Sequence, residues 1–265
     1  MSLSAYVSGL GVLGPGLANW PEAAAVLSGR QPYRPAPTVL PTPAMLAAAE
    51  RRRVGRVVKL ALAVALEATA QAGENPAELA SVFSSSGGDG HNCHELCQSL
   101  SLPGREVSPT RFANSVHNAA AGYWSIGTGA MAESNVLCAF DASFTAGLLE
   151  ALTQVAVDQI PVLLVAYDSE YPQPLHAKRP IPDAFGVSML LTPQRRATSL
   201  ARVDAALGGT EADRLPDPML EALRCAFPAA RSLPLLRLLA ARNVGKAVLE
   251  YLDVSPMEVK IEPCG

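Results

Sequence analysis

The sequence feature that most constrains the fold is the alternation of short apolar runs with helical patterns along the first two thirds of the chain. Each run has the length of a strand and is followed by a segment whose apolar residues recur with helical spacing. The runs that indicate strands are 4–13, 79–84, 135–140, 161–167, 184–191 and 199–207. Strands that alternate with helices predict a layered α/β fold around a mainly parallel sheet.

Composition narrows the class of protein further. The 265 residues are 49% apolar and only 17% charged, well below the ~25% charge of typical soluble proteins. No uninterrupted apolar run reaches ~18 residues, so we expect no membrane span. The net charge of −3 comes without a basic stripe, which argues against nucleic-acid binding. The low charge is explained either by a large core or by a large subunit interface.

Cellular location and domain count follow from equally simple features. The first ten residues lack the charged start and long apolar stretch of a signal peptide. The five cysteines are odd in number and have no disulfide-like spacing, which favours a reducing, cytoplasmic setting. A chain of this length commonly forms one domain, here 1–265. Within it, 216–252 reads as mostly helical and 257–261 as a possible last strand.

Two motifs invite a cofactor or metal interpretation. Gly9-x-Gly11-x-x-Gly14 matches the dinucleotide fingerprint, but Pro15-Gly16 follows where the phosphate-binding helix should begin. We interpret these glycines as a tight turn between strand and helix, with no cofactor.

The second motif is a cluster of metal-type ligands in one short helical segment, His91, Cys93, His94 and Cys97. Zinc sites usually combine pairs from separate places, and no second pair exists in the sequence. We therefore expect ordinary surface residues and no metal ion.

Polar residues interrupt two apolar stretches. Ser115, His117 and Asn118 form either a buried, satisfied cluster or a pocket wall, and the sequence leaves both possibilities open. Further on, a strand at 135–140 turns abruptly into a helix that begins at Ser143. This is the position of a nucleophile elbow in several α/β enzymes, although the flanking glycines are missing. Cys138 lies within the strand and is expected to be a buried, inert thiol.

The order of segments resembles the β-ketoacyl-ACP synthases, the thiolase-like condensing enzymes. The resemblance covers roughly 1–210. The matching stretches are Val7-Ser8-Gly9-Leu10-Gly11, Leu27-Ser28-Gly29, 116–126 with Asn118 four residues before Gly122, 135–151, 161–170, 179–191 and 201–208. The resemblance implies a thiolase-like α/β/α layered fold with one complete half and a truncated second half, the remainder at 211–265 being irregular and mostly helical.

The departures from that family concern its chemistry. Matching the small helix residues places the acyl-accepting cysteine at Asp141, and matching the later strand places it at Ala142. Neither side chain accepts an acyl group as a thiolate does. Condensing enzymes also use two later histidines, and here only His176 follows the elbow, too soon to match. The resemblance therefore implies a chain that is not an enzyme by itself and needs no cofactor.

Within the family, the chain resembles the short chain-length-factor subunits of ketosynthases in aryl polyene and related polyketide or fatty-acid-type pathways. That resemblance implies a heterodimer with a full-length ketosynthase, which an acyl carrier protein visits. The implied interface residues are Asn135, Val136, Leu137, Cys138, Ala139 and Phe140. The residues implied to line the acyl tunnel are Phe112, Ser115, His117, Asn118, Tyr123, Ser143 and Phe144.

Two other functions remain open from the residues. The chain could be an acyl-thioester hydrolase or transferase that uses Ser143 with His117, which requires the two side chains within hydrogen-bond reach. It could also be a stand-alone module that binds an acyl chain or a carrier protein. Under the heterodimer hypothesis, uncovered apolar surface should centre on 112–151.

Overall fold

The computed structural model describes residues 2–252 and 255–265, and its strands form one sheet in the order β3-β2-β4-β5-β1-β6-β8-β7. The strands are β1 (Leu3–Leu13), β2 (Ala80–Ser84), β3 (Ser134–Leu137), β4 (Val162–Asp168), β5 (Phe185–Thr192), β6 (Ala201–Leu207), β7 (Gly245–Leu252) and β8 (Ser255–Pro263). All the strands predicted from the sequence are present. The expectation that 216–252 is mostly helical is wrong for β7, which occupies its last eight residues because it pairs with β8.

The expectation of a mainly parallel sheet is wrong. Only β2 pairs in parallel fashion, with β3 and with β4, and the other neighbouring strands in the sheet are antiparallel. The reason lies in the connections, because parallel neighbours need a crossover helix. Helices of several turns connect β2 to β3 and β3 to β4, whereas only 193–200 connects β5 to β6.

The helices follow most of the predicted segments. They are α1 (Trp20–Leu27), α2 (Ala48–Arg51), α3 (Arg56–Ala72), α4 (Gly90–Ser101), α5 (Pro109–Ser115), α6 (Ala119–Thr128), α7 (Ser143–Asp158), α8 (Leu175–Lys178), α9 (Pro218–Ala226) and α10 (Leu233–Ala241). Asn19 caps α1 by accepting the Glu22 N–H, and Pro21 lies in its first turn, the residue types that favour a helix start at this place in the sequence. The apolar pattern over 44–72 predicts one helix, but the structure has two, α2 and α3, separated by 52–55.

Apolar side chains alternate between the two faces of the sheet and build a core on each. On one face α1, α7, α9 and α10 cover residues such as Val82, and on the other α3 and α6 cover residues such as Phe83. Both cores are closed by helices, so the layered α/β/α expectation is confirmed. The truncated second half contributes β6, β7 and β8 as a continuation of the same sheet.

Two glycines of the apparent fingerprint, Gly9 and Gly11, lie inside β1, so the tight-turn interpretation is wrong for them, whereas Gly14 does begin the tight turn that follows the strand. A Cβ at Gly9 would collide with the carbonyl oxygen of Ala68, and one at Gly11 with that of Val64. Both carbonyls belong to α3, so the two glycines let this helix lie directly on the strand. Glu67 of α3 then accepts the Val12 N–H at 2.9 Å.

The two edges of the sheet differ. At β7 the chain protects its own edge, because the Asp213 N–H donates to the Val248 carbonyl and the Asp213 carboxylate accepts the Val248 N–H, both at 2.9 Å. At the other edge β3 pairs with β2 alone. Ser134 and Asn135 are exposed there, and Val136 and Leu137 are half-buried. The buried strand predicted over 135–140 is therefore wrong, because in the single chain it is a short edge strand that ends at Leu137.

Candidate functional site

The turn between β3 and α7 has the geometry of an elbow. A 3-10 turn, Phe140–Ala142, connects the strand to the helix. Phe140 has a φ of +51°, a left-handed conformation that is strained for a bulky residue. The Ser143 hydroxyl stabilises it by donating to the Phe140 carbonyl at 2.7 Å and accepting the Ala139 N–H at 3.0 Å. The sequence-based elbow is therefore present, and its tip is Phe140-Asp141.

Asp141, one of the two positions matched to the missing nucleophile, is held by cations. Its carboxylate accepts a hydrogen bond from Arg179 at 2.7 Å and lies 3.9 Å from Arg231. The Arg179 guanidinium also stacks 3.7 Å from the centre of the Phe140 ring. Ala142, the other position, offers only a methyl group. An ion-paired carboxylate at this place is a structural anchor and has no thiol chemistry.

The ion pairs continue away from the elbow as a chain. Arg231 pairs with Glu250 at 2.9 Å, and Glu250 pairs with Arg224 at 3.0 Å. Arg224, only 6% exposed, also binds Glu221 at 2.8 Å and lowers the pKa of that carboxyl to about 2. Glu221, Arg224 and Glu250 line part of a cleft of about 790 Å³ beside the elbow. Sequence reasoning missed them, because the sheet brings α9 and β7 next to an elbow far away in the chain.

Ser143 and His117 do not form a catalytic pair. The Ser143 hydroxyl is buried and engaged in the elbow turn, whereas His117 Nε2 lies 3.0 Å from the Ser85 carbonyl oxygen. No hydrogen bond joins the two side chains in the part of the chain that the structure describes. The nucleophile–base contact that the hydrolase interpretation requires is absent from this arrangement.

The segment 112–126 forms a groove between α5 and α6. The groove has a volume of about 590 Å³, with Glu50 and Arg53 at one side and Val116, Asn118 and Ile126 among its other walls. Tyr123 lines it too, and burial together with the nearby Glu50 raises the pKa of its phenol. The segment is therefore a pocket wall at Asn118 and Tyr123.

Asn114 also belongs to this groove, although the sequence did not single it out. Its side chain is buried, donates to the Arg53 carbonyl at 2.7 Å and lines the groove together with Tyr123. The sequence signal that could have identified it is an asparagine within an apolar helical segment that polar residues interrupt. Its position in the fold depended on where α5 lies against the segment before α3.

The remaining tunnel candidates are scattered. Phe112 is 62% exposed on α5, and Ser115 is half-buried and donates to the Phe112 carbonyl at 2.9 Å. Phe144 is fully buried in the core on the α7 face of the sheet, opposite the core that holds Tyr123. The structure thus brings Tyr123 and Asn118 together and keeps Ser143 and Phe144 apart from them.

Exposed apolar side chains occur within 112–151 and flank β3, but they also occur at many positions outside this range. Those within this range are Phe112, Val116, Ile126, Met131 and Phe140. Met131, just before β3, is 94% exposed, and Phe140, just after it, is 63% exposed. Cys138 is exposed as well, so the prediction of a buried thiol is wrong for the same reason as the buried strand.

The motif of potential metal ligands and the apolar segments do not form a metal site or a membrane span among the described residues. The motif of histidines and cysteines lies on α4, where Cys93 and Cys97 are exposed. Among the described residues, no three histidine, cysteine or acidic side chains are arranged to hold a metal ion. None of the helices described is long and apolar enough to cross a membrane.

Comparison with known proteins identifies the family of this architecture. The family model described as the β-ketoacyl synthase N-terminal domain matches residues 19–232, which is most of the chain. A search of curated proteins finds no match.

Solved structures share the fold over the full chain. A ketosynthase (ApeO) in complex with its chain length factor (ApeC) from Xenorhabdus doucetiae matches with a TM-score of 0.72 and 24% identity, covering 97% of this chain and 99% of that one. The ishigamide ketosynthase/chain length factor matches with a TM-score of 0.70 and 14% identity, covering 99% and 100%. AntDE:AntF, a type II acyl-carrier protein in complex with its ketosynthase, matches with a TM-score of 0.76 and 10% identity, covering both chains fully.

Proposed function

The chain belongs to the β-ketoacyl synthase N-terminal domain family, and we propose that it is a non-catalytic, chain-length-factor-like partner of a full-length ketosynthase. The observation that carries the proposal is the elbow. The family's fold is retained there, but Asp141 is ion-paired to Arg179 at the tip and Ala142 follows it. Neither residue provides the thiolate that accepts an acyl chain.

The open sheet edge supports a heterodimer. A strand with one unpaired side tends to be covered by another strand or by a partner. β3 has such a side, whereas β7 is protected by Asp213. Exposed apolar residues on both flanks of β3, Met131 and Phe140, add surface whose burial would stabilise a complex. The implied interface residues 135–140 lie along this edge.

The groove between α5 and α6 supports a role in shaping an acyl cavity. It combines apolar walls with a polar end formed by Glu50, Asn114 and Tyr123, and Phe112 lies exposed on the same helix pair. In the proposed complex the groove would contribute one wall of a tunnel whose opposite wall comes from the ketosynthase. Side chains of this segment would then set the length of the product.

The names of the structural neighbours agree with these roles. Two are ketosynthases with chain length factors, and a third contains an acyl-carrier protein. By analogy we propose that this chain binds a ketosynthase and that a carrier protein reaches it through the complex. We also propose that the complex acts in a pathway of the polyketide, aryl polyene or fatty-acid type. We further propose that 1–265 works as one domain in the cytoplasm, where its free thiols would stay reduced.

Co-expression tests the proposal directly. The chain is produced together with a full-length ketosynthase from the same genome that carries an intact Cys-His-His set. We expect a one-to-one complex that survives size-exclusion chromatography and native mass spectrometry. A chain that remains monomeric in the presence of that ketosynthase would refute the heterodimer.

Substitution in the groove tests the cavity role. Tyr123→Ala and Phe112→Ala should change the distribution of product lengths made by the complex, because Tyr123 lines the groove and Phe112 lies exposed on α5 beside it. Leu175→Ala is the matched control, since Leu175 is an exposed apolar residue on α8 outside the groove. The same products from both groove variants and the control would refute this role.

A further inference from the structure

The segment around the open sheet edge contains no lysine or arginine. From residue 112 to residue 177 the sequence has six aspartates and glutamates and neither a lysine nor an arginine. The 21 basic residues of the chain all lie elsewhere. This stretch includes β3, the elbow and α7, and basic side chains from elsewhere in the chain, Arg179 and Arg231, reach it at Asp141.

Three of these six acids are engaged within the chain. Asp141 is paired with Arg179, and Glu170 is paired with Arg56 at 2.7 Å. Asp168 is buried and accepts the N–H groups of Ser86 and Ala229 at 2.8 and 2.9 Å. Across the described residues, the other three acids have no ion pair with a lysine or arginine. They are Glu133, Glu150 and Asp158.

Two of the acids without an ion pair lie next to β3. Glu133 is exposed and directly precedes the strand. Glu150 projects from α7 beside the strand, where its Oε1 accepts hydrogen bonds from Asn135 and Gln154, both at 2.9 Å. Around them the outer side of α7 is mostly apolar and includes Val157, which is 70% exposed. We call this surface, made of β3 and the outer side of α7, the edge face.

Symmetry makes Glu150 unfavourable for pairing two copies. If two β3 strands met antiparallel about a two-fold axis, the same patch of each copy would face itself. Such an axis runs perpendicular to the joined sheet, so both α7 helices would lie on the same side. With Asn135 in β3, an axis near it would bring the two Glu150 carboxylates together. Like charges brought together in an interface are repulsive and suppress the wrong partner.

We propose that Glu150 and Glu133 make the edge face select a ketosynthase whose matching face presents lysine or arginine, and that they prevent self-association of this chain. The proposal rests on the proposed function for the identity of the partner. The selection itself is a property of this chain. The apolar edge face would favour binding to a second copy as well as to a ketosynthase, and the acidic side chains distinguish between these two partners.

Self-association of the purified chain tests the selection without the partner. The double variant Glu133→Gln, Glu150→Gln keeps the Asn135 hydrogen bond but removes both charges. In 50 mM salt, sedimentation equilibrium should show the wild type as a monomer and the double variant dimerising at least about tenfold more tightly. In 1 M salt the wild type should also dimerise more strongly, because screening shortens the reach of its charges. Glu262→Gln, an exposed acid on β8, is the control and should behave as wild type.

Hydrogen exchange locates the contact in the variant dimer. Amides of 134–137 should exchange more slowly than in the monomer, whereas those of β7 should not change. A double variant that self-associates no more than wild type and Glu262→Gln overturns the proposal, as does a dimer that leaves β3 unprotected. Binding to the ketosynthase is measured separately. Its absence would refute the proposed function, whereas the self-association result would still decide the role of the two glutamates.

Discussion

Replacing Gly11 by alanine should strongly destabilise the chain, because α3 lies directly on β1 at this position. An added Cβ would collide with the Val64 carbonyl oxygen and lie 2.9 Å from its carbonyl carbon and 3.1 Å from the Glu67 Cβ. Ordinary contacts between carbon atoms are ~3.5–4.0 Å, so α3 would have to withdraw by about half an ångström or more.

The cost follows from what that withdrawal disturbs. Overpacking of this kind costs about 1–3 kcal/mol. Glu67 accepts the N–H groups of Val12 at 2.9 Å and Trp20 at 2.6 Å, and weakening these charged hydrogen bonds adds about 1.5–3 kcal/mol. Loss of glycine's flexibility in the unfolded chain returns about 0.4–1 kcal/mol. We expect a net loss of about 2–4 kcal/mol in the free energy of unfolding.

Urea unfolding followed by circular dichroism measures this loss, and the melting temperature should fall by about 4–16 °C for a chain of this size. Gly122→Ala is the control, because a Cβ there meets no atom within 4 Å and alanine favours the helix. The control should be neutral or stabilising by up to about 1 kcal/mol. A loss below about 1 kcal/mol in Gly11→Ala would refute the close helix–strand contact and reopen the question of what the glycines do.

Other predictions address the buried carboxyl, the open edge and the elbow. Burial raises the pKa of Asp168 to about 6, so the folded chain holds this proton more tightly than the unfolded chain does. The contribution of this group to the free energy of unfolding should therefore fall as pH rises from about 4 to 6, by on the order of 3 kcal/mol. In urea titrations Asp168→Asn should flatten this pH dependence, and a variant with the same pH profile as the wild type would contradict the prediction. Cys138 should react with a thiol reagent in the free chain and become protected in the ketosynthase complex, with exposed Cys93 and Cys225 as internal references; equal labelling in both states would argue against the β3 interface. Asp141→Cys should not produce condensing activity with acyl and malonyl carrier-protein substrates, because no later histidine pair exists; product above the wild-type background would refute the non-catalytic assignment.

Local signals in the sequence located most elements correctly. Asn19 and Pro21 define the start of α1, and Gly73 ends α3 in a left-handed conformation. In contrast, β7 was missed because Gly245–Leu252 contains lysine, alanine, leucine and glutamate, which favour helices. Its pairing with β8 decided its conformation, and that contact is not visible in local sequence.

The candidate site was predictable in position but not in detail. The elbow lies where the order of segments placed it, between β3 and α7. The ion pairs from Asp141 to Arg231 and Glu250 were not predictable, since they join residues separated by about ninety and twenty positions. The exposure of Cys138 was misjudged because an apolar run indicates a strand without saying whether neighbours cover both of its sides.

The unequal edges of the sheet also limit how large an assembly can become. Asp213 occupies both hydrogen-bonding groups of Val248 on β7, which hinders strand addition there, whereas the outer side of β3 has no neighbouring strand among the described residues. A sheet that can grow at one end joins one other sheet and then stops, whereas a sheet with two free ends can polymerise. In the proposed complex, assembly through the sheet edges would therefore stop at a pair, and the chain would be protected from forming fibres through its own edges.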